Sequence, residues 1–529
     1  MKIKIKKKKF QHAKGTCHLF SSEKYRAAQL CQQSSSSFST FMAKKSVEEN
    51  DLCPERKRVK ATSSSNKAED EDRISKLPDA IILHILSFLP SKDLVPTSLL
   101  SKRWKLMWYS VPTLSFLDTK HARLPWHYDR FCDYVDTSLE RRKRGMFFMG
   151  DSVITSFKLQ IHSYARSIAH RIDKWFAFAV QNKVKKISLS FSKETEWNRD
   201  LRCFDYYYYC LPKTLVVNAM HLTILELGKV ELNSRYSFSF PCLESLSMDL
   251  VRLADNDVLD KLLLGSPSLE KFRLDCCSLR TDHQLNINSF SLKFLQIQLT
   301  KDIVEQIRVA NLESLELFGV YFGTINRSVC KTIRNLSLNC DWGPEESSSL
   351  EYLISNLPLL ENLTLSNWYG LGMNHIKISS KQLKRFELNN PFTDEMTVVI
   401  ESAPKLESFC YTGNIKFSIS MVESSNLLNG TFIILDRQGN YDGNWFIGLM
   451  NFFLNLKCCW NTISLDVDSV EALLVPESLK NICRSPLVNW EHLRVVTECK
   501  PEMESDLRDA LMWVSPSLKT LSIANKGIL

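Results

Sequence analysis

The residue types in this 529-residue chain best suited to covalent or metal chemistry are sixteen cysteines and eleven histidines. Neither set is spaced for it. No CxxC pair occurs, and the adjacent pairs Cys276-Cys277 and Cys458-Cys459 suit neither a tetrahedral metal nor an unstrained disulfide. The histidines are dispersed, without HExxH. Glycine, needed where backbone must approach a phosphate closely, is only 16 of 529 residues, and GxGxxG, GxxxxGK(S/T) and GxSxG are all missing. The expectation is a chain without catalytic residues, metal ligands or cofactor. No apolar stretch follows the Lys/Ile alternation of the first ten residues, so no export signal is expected, and the thiols read as reduced, mostly core residues. No apolar run reaches the ~18 residues of a membrane span.

What the spacing does support is binding by apolar and charged side chains, and those must be held by folded elements. Net charge is +9, but residues 1–72 hold 16 Lys+Arg against 9 Asp+Glu, a net of +7. The remaining 457 residues are nearly neutral, which argues against a nucleic-acid-binding body. The arm 1–72 carries a Lys run (6–9), a Ser run (34–37) and no periodicity, so disorder is expected. Within it, Lys44 and Lys45 followed after ten residues by Arg56, Lys57, Arg58 and Lys60 resemble a bipartite nuclear localisation signal. Nucleus and/or cytoplasm is the expected location. Met42 offers a second start position.

Residues 73–117 read as three short helices. Pro78 opens the first, in which Ile82, Ile85, Leu86 and Leu89 form an apolar stripe. Pro90 ends it, Ser91 is an N-cap candidate for a second helix interrupted by Pro96, and Ser101 caps a third that bears Trp104, Met107 and Trp108. About 45 residues cannot bury all of these among themselves. The pattern Leu77-Pro78…Ile85-Leu86-Ser87-Phe88-Leu89-Pro90…Leu100-Ser101-Lys102-Arg103-Trp104…Trp108 resembles a plant-type F-box. That resemblance implies docking onto the adaptor of a cullin-RING ubiquitin ligase. Leu77, Pro78, Ile81, Ile85 and Leu86 would meet the adaptor, supported by Leu99, Ser101 and Trp104.

Beyond residue 118 the signal is repetition. A triplet spaced L-x-x-L-x-L recurs from Leu222/Leu225/Leu227 to Leu406/Phe409/Tyr411. Eight steps cover 184 residues, 23.0 each, within the 20–29 residues of leucine-rich repeats. Earlier, Ile154/Phe157/Leu159 reads as a first strand. The ninth position of each unit, where Asn or Cys would tie turns together, is Cys277, Thr300, Asp341 and Asn414 in some units but Val230, Val251, Val320 and Trp368 in others, so the array is irregular. Phrases such as Ser266-Pro267-Ser268-Leu269-Glu270 and Ser515-Pro516-Ser517-Leu518-Lys519 set the turn into several strands. Late strands are expected at Trp460/Ile463/Leu465, Trp490/Leu493/Val495 and Leu518/Leu521/Ile523, in a tail that resembles the C-terminal domain often appended in F-box/leucine-rich-repeat proteins of plants.

The expected fold is α/β. A three-helix F-box (73–117) is followed by a linker and first unit (118–181), an irregular leucine-rich-repeat solenoid (182–415) and a divergent capping region (416–529). Parallel strands form the concave face and helices the convex one. The resemblance implies the substrate-recognition subunit of an SCF-type ligase, plant and non-catalytic, whose partners are adaptor and cullin through the F-box and a target protein through the repeats, with no nucleic acid and no membrane. The alternative is a non-ligase repeat scaffold. Target-binding candidates are the residues between the strand leucines: Asp249, Arg273, Asp275, Gln296, Glu316, Asn339, Arg385 and Glu387, a polar, mixed-charge set suited to protein.

Overall fold

The computed structural model describes residues 76–526 except 90, 119–124, 150–152, 163, 192–207, 281–283, 299–303, 340–345, 367–373, 392–394, 423–427, 436–438, 440 and 482–484. The basic clusters at 44–45 and 56–60 lie outside the described residues, as do Thr300, Asp341 and Trp368.

The first module is three helices: α1 (Asp79–Ser87), α2 (Ser91–Thr97) and α3 (Lys102–Ser110). Ile82, Leu86, Leu94, Trp104, Met107, Trp108 and Val111 form its small core. Pro78 is the N-cap of α1, where its missing N–H costs nothing. Ser101 caps α3, its hydroxyl accepting from the Trp104 N–H at 3.2 Å.

From Thr113 onward a single parallel sheet of sixteen strands runs through the described residues to Asn525. Its first strand is β1 (Thr113–Leu117), directly behind the helical module, so Ile154–Leu159 belongs to the second, β2 (Ser156–Ile161). β1 was missed because Val111/Leu114/Phe116, spaced like the other triplets, lies inside residues 73–117, which read as the helical module. From β2 the register passes unbroken: Leu159 faces Leu189, then Leu227, Met248, Leu274, Ile297, Leu317, Leu338, Leu365, Leu388 and Tyr411. Every one of these is buried. A one-residue slip would turn the whole row to solvent, so the leucine period specifies the register.

The strands enter through a shared turn. Leu243, Leu269, Leu360, Leu406 and Leu518 each donate an N–H to the carbonyl three residues back, with proline at the second turn position. They leave through a second shared device. Lys229, Leu250, Cys276 and Gly319 have φ of 55°, 53°, 49° and 67°. Their amides donate to the terminal carbonyls of the next strands, on Asp249, Asp275, Gln298 and Asn339. The residue after each, Val230, Val251, Cys277 or Val320, is buried. This explains the valines at the ninth position. Where an Asn ladder would tie the turns, a second parallel sheet of short strands does so instead (Tyr209–Cys210, Val230–Leu232, Arg252–Leu253 and Ser278–Leu279). Cys277 still bonds the preceding turn, its thiol donating to the Met248 carbonyl at 3.5 Å.

The other side of the core is mixed. Helices such as Asp257–Leu264 and Gly443–Leu454 back some units. Others are backed by strands, in the pair Leu285–Ser289/Val304–Val309 and in a sheet that includes His375–Ser379, Met396–Ser402 and Phe417–Met421. Past residue 415 the main sheet continues through Leu428–Ile434, Trp460–Ser469, His492–Glu498 and Thr520–Asn525. The first of these four carried no leucine triplet. Gly430 holds the position facing Ile463, and a Cβ there would lie 2.6 Å from the Trp460 ring. The indole supplies the volume that a leucine supplies elsewhere.

Candidate docking faces

Helix α1 divides the apolar stripe in two. Ile82 and Leu86 point into the module core, while Ile81 and Ile85, together with Phe88 just beyond the helix end, follow i, i+4, i+7 spacing and are exposed. Phe88 is edge-on to His84 at 4.9 Å. In the turn after α2, Leu99 is 85% exposed and Leu100 also projects outward. Exposed apolar groups at this density mark an interaction surface.

Of the predicted adaptor residues, Pro78, Ile81, Ile85, Leu99 and Ser101 are exposed and Leu77 is half-buried. Leu86 and Trp104 are in the core, so they shape the face from beneath and offer it no surface. Ser91 departs from expectation too. Its hydroxyl caps no helix turn but accepts from the Ser115 N–H of β1 at 2.9 Å. Phe88 and Leu100 are further outward side chains; both lay inside the quoted motif, but their exposure is not readable from type. Arg103 is a further addition. It donates to Asp79 at 3.0 and 2.5 Å and to the Leu77 carbonyl at 2.7 Å, fixing the chain entry that presents Pro78.

The module is joined tightly to the sheet. The Ser91–Ser115 bond covers the outer edge of β1. Helix α4 (Pro125–Met149) packs on α3 and on α5 (Ala169–Gln181). Arg142 on α4 is fully buried and donates to the carbonyls of Trp108 and Val111 at 2.5 and 2.7 Å. Burial pushes its guanidinium down to about 10. Further along α4, Asp133 and Asp136 pair with Arg171 of α5 at 2.6 and 2.5 Å, and the Trp175 indole N–H donates to Asp136 at 2.5 Å. The sequence pattern did not reveal this clamp, because a charged helix ahead of the repeats reads as a linker.

The solvent face of the sheet places the target-binding candidates in rows. Arg273, Gln296 and Glu316 are consecutive neighbours, continued by Ser337, Thr364 and Glu387. Asp249 and Asp275 sit side by side in a second row, at the strand ends. Arg385 lies in a third, where its guanidinium donates to Asn362 at 2.7 Å and Asn362 in turn donates to Asn335. Asn339 is only 7% exposed and presents no surface to a target.

A charged row that was not anticipated crosses the sheet just before the strands. Starting from Glu244, each N–H in the series Glu270, Lys293, Glu313, Arg334, Glu361, Lys384, Glu407 bonds the carbonyl of the member before it, so their side chains stand one strand apart. Lys293 pairs with Glu270 at 2.6 Å, and Glu361 accepts from Arg334 at 2.6 Å and Lys384 at 2.8 Å. Lys384 first and Arg334 second hold the Glu361 carboxyl below the usual range. The signal was present in the repeated phrase, whose closing Glu, as at Glu270, occupies this row.

Comparison with known proteins matches residues 74–116 to the F-box domain. Residues 172–337 match the family described as FBD-associated F-box protein At5g56370, LRR repeats. Relatives in Arabidopsis thaliana include F-box/FBD/LRR-repeat protein At1g78750, 32% identical over 225 residues (41% of this chain, 44% of the relative). Two others are F-box/FBD/LRR-repeat protein At5g56420, 28% identical over 235 residues (44% and 50%), and F-box/LRR-repeat protein At5g02910, 32% over 208 residues (39% of each). The aligned stretches span about half or less of these relatives. Residues 74–116 thus resemble an F-box with an outward apolar face, and residues 172–337 resemble FBD-associated leucine-rich repeats on one parallel sheet, an arrangement similar to that of plant F-box/leucine-rich-repeat proteins.

Proposed function

We propose that the chain is the substrate-recognition subunit of an SCF-type ubiquitin ligase: its F-box docks to the adaptor, and through it to the cullin, while the repeat sheet holds a target protein. The observation that carries this reading is the pairing of an exposed apolar stripe, Ile81, Ile85 and Phe88, with a junction that fixes the stripe relative to the sheet. The contribution to ubiquitination is positional. A target held by the sheet meets the charged conjugating enzyme at high effective concentration, with no acid, base or nucleophile required of this chain. The solvent rows of mixed charge and amide groups, Arg273 to Glu387, suit a polar protein surface. The two basic clusters of the arm would deliver the complex to the nucleus. The test is co-purification. Wild type is expected to bring down adaptor and cullin, and a Leu77→Ala/Pro78→Ala variant to lose both while keeping the repeats folded; failure of the wild type to capture either removes the basis for the proposal.

A further inference from the structure

An open groove with a volume of about 810 Å³ runs along the rim where the chain enters the strands, away from the solvent rows of the sheet. Its floor is the charged row from Glu244 to Arg334. Phe290, Pro267 and Leu359 stand along it. Phe290 is 85% exposed, and the Asn311 side-chain amide donates to its carbonyl at 2.7 Å, so the loop that presents the ring is anchored.

The charges on the floor are not balanced within it. Lys293 is engaged by Glu270 at 2.6 Å. Arg334 is engaged by Glu361 at 2.6 Å. Glu244 and Glu313 are exposed carboxylates outside the ion pairs seen among the described residues, with Glu313 close enough to Lys293 to act on its charge. The backbone ladder sets them three strand steps apart, about 14 Å at ~4.8 Å per step. An extended peptide rises ~3.4 Å per residue, so about 14 Å separates residues i and i+4, whose side chains point the same way as that of i+2.

We propose that this rim binds an extended peptide segment of the form basic–x–apolar–x–basic, with its two cations on Glu244 and Glu313 and its apolar side chain on Phe290. The inference deepens the receptor reading by naming the chemistry of a target segment, and it rests on that reading only for its biological setting. Binding itself is measurable without the ligase.

The probe is fluorescein-labelled Gly-Lys-Ser-Leu-Ser-Lys-Gly, titrated with the full chain in low salt and followed by anisotropy, with Gly-Glu-Ser-Leu-Ser-Glu-Gly as control. Binding of the lysine peptide is expected, weakening as salt rises. Glu244→Gln/Glu313→Gln should reduce affinity at least ten-fold, and Phe290→Ala several-fold. Asp506→Asn, exposed on the helix Glu504–Val514 and outside the groove, should leave it unchanged. All variants should still capture the adaptor, which separates failure of this proposal from failure of the receptor reading. Equal affinity for both peptides, no binding by wild type, or full affinity in the Glu244/Glu313 variant overturns the assignment.

Discussion

The F-box and the repeat sheet handle apolar side chains in opposite ways. In the sheet each strand leucine is closed over by its neighbours, and the solvent rows are polar from Ser115 to Ser522 in all but a few places. In the F-box the same residue types are split: Ile82 and Leu86 go inward, and Ile81, Ile85 and Phe88 stay outside. A repeat array supplies its own next layer, so each unit completes the core of the one before it. A module of about 40 residues has no next layer on its outer side, and the surface it leaves apolar is one that another protein is needed to cover. Apolar residues therefore report stability in one region and, under the proposed function, recognition in the other.

Substitutions can break or sharpen that contrast. The largest loss is expected in the array core. Phe272→Ala, at a ring with no exposure, should cost about 3–5 kcal/mol in chemical denaturation. Arg142→Met comes next. It strands the carbonyls of Trp108 and Val111 and should cost about 2–3 kcal/mol, with the F-box unfolding ahead of the repeats instead of together with them, as monitored by hydrogen exchange. Gly319→Val forces a β-branched residue to φ 67° and should cost about 1–2 kcal/mol, whereas Cys276→Gly relieves a non-glycine residue at φ 49° and should be neutral or stabilising; denaturant midpoints distinguish the two.

The smallest effect concerns the charged row. The carboxyl of Glu361 is held below its ordinary value, so its contribution is present above the unfolded value near 4.5 and fades as pH falls through the lower folded one. Glu361→Gln should therefore flatten the dependence of stability on pH below about 4.5, its loss being small, since its partners are half-exposed, and largest at neutrality. An undiminished acid slope in that variant would sink the assignment.

How much of this was legible in the sequence follows from the same contrast. The leucine spacing located the strands from Leu222 to Tyr411 because burial enforces it. It failed at β1, whose triplet Val111/Leu114/Phe116 lies in the stretch read as the helical module, and at Leu428–Ile434, where Gly430 yields to Trp460. Side-chain type alone could not sort Ile81 from Ile82, since both are β-branched and apolar and only the helix phase separates them. The buried Asn339 ran against type in the same way: as a polar strand residue it was assigned outward, and tertiary packing took it inside, while Arg142, also buried, lay in a stretch read as linker and first unit.

The central claim is that the outward stripe of the F-box serves recognition and not stability. Its most direct test is calorimetric titration of purified adaptor into wild type and into an Ile81→Ala/Ile85→Ala/Leu99→Ala variant, with denaturation of both proteins alone. The account predicts that adaptor affinity falls about 100-fold or more, ~2.7 kcal/mol, while unfolding stability changes by less than about 1 kcal/mol. Undiminished affinity, or a stability loss as large as that of Phe272→Ala, would contradict it.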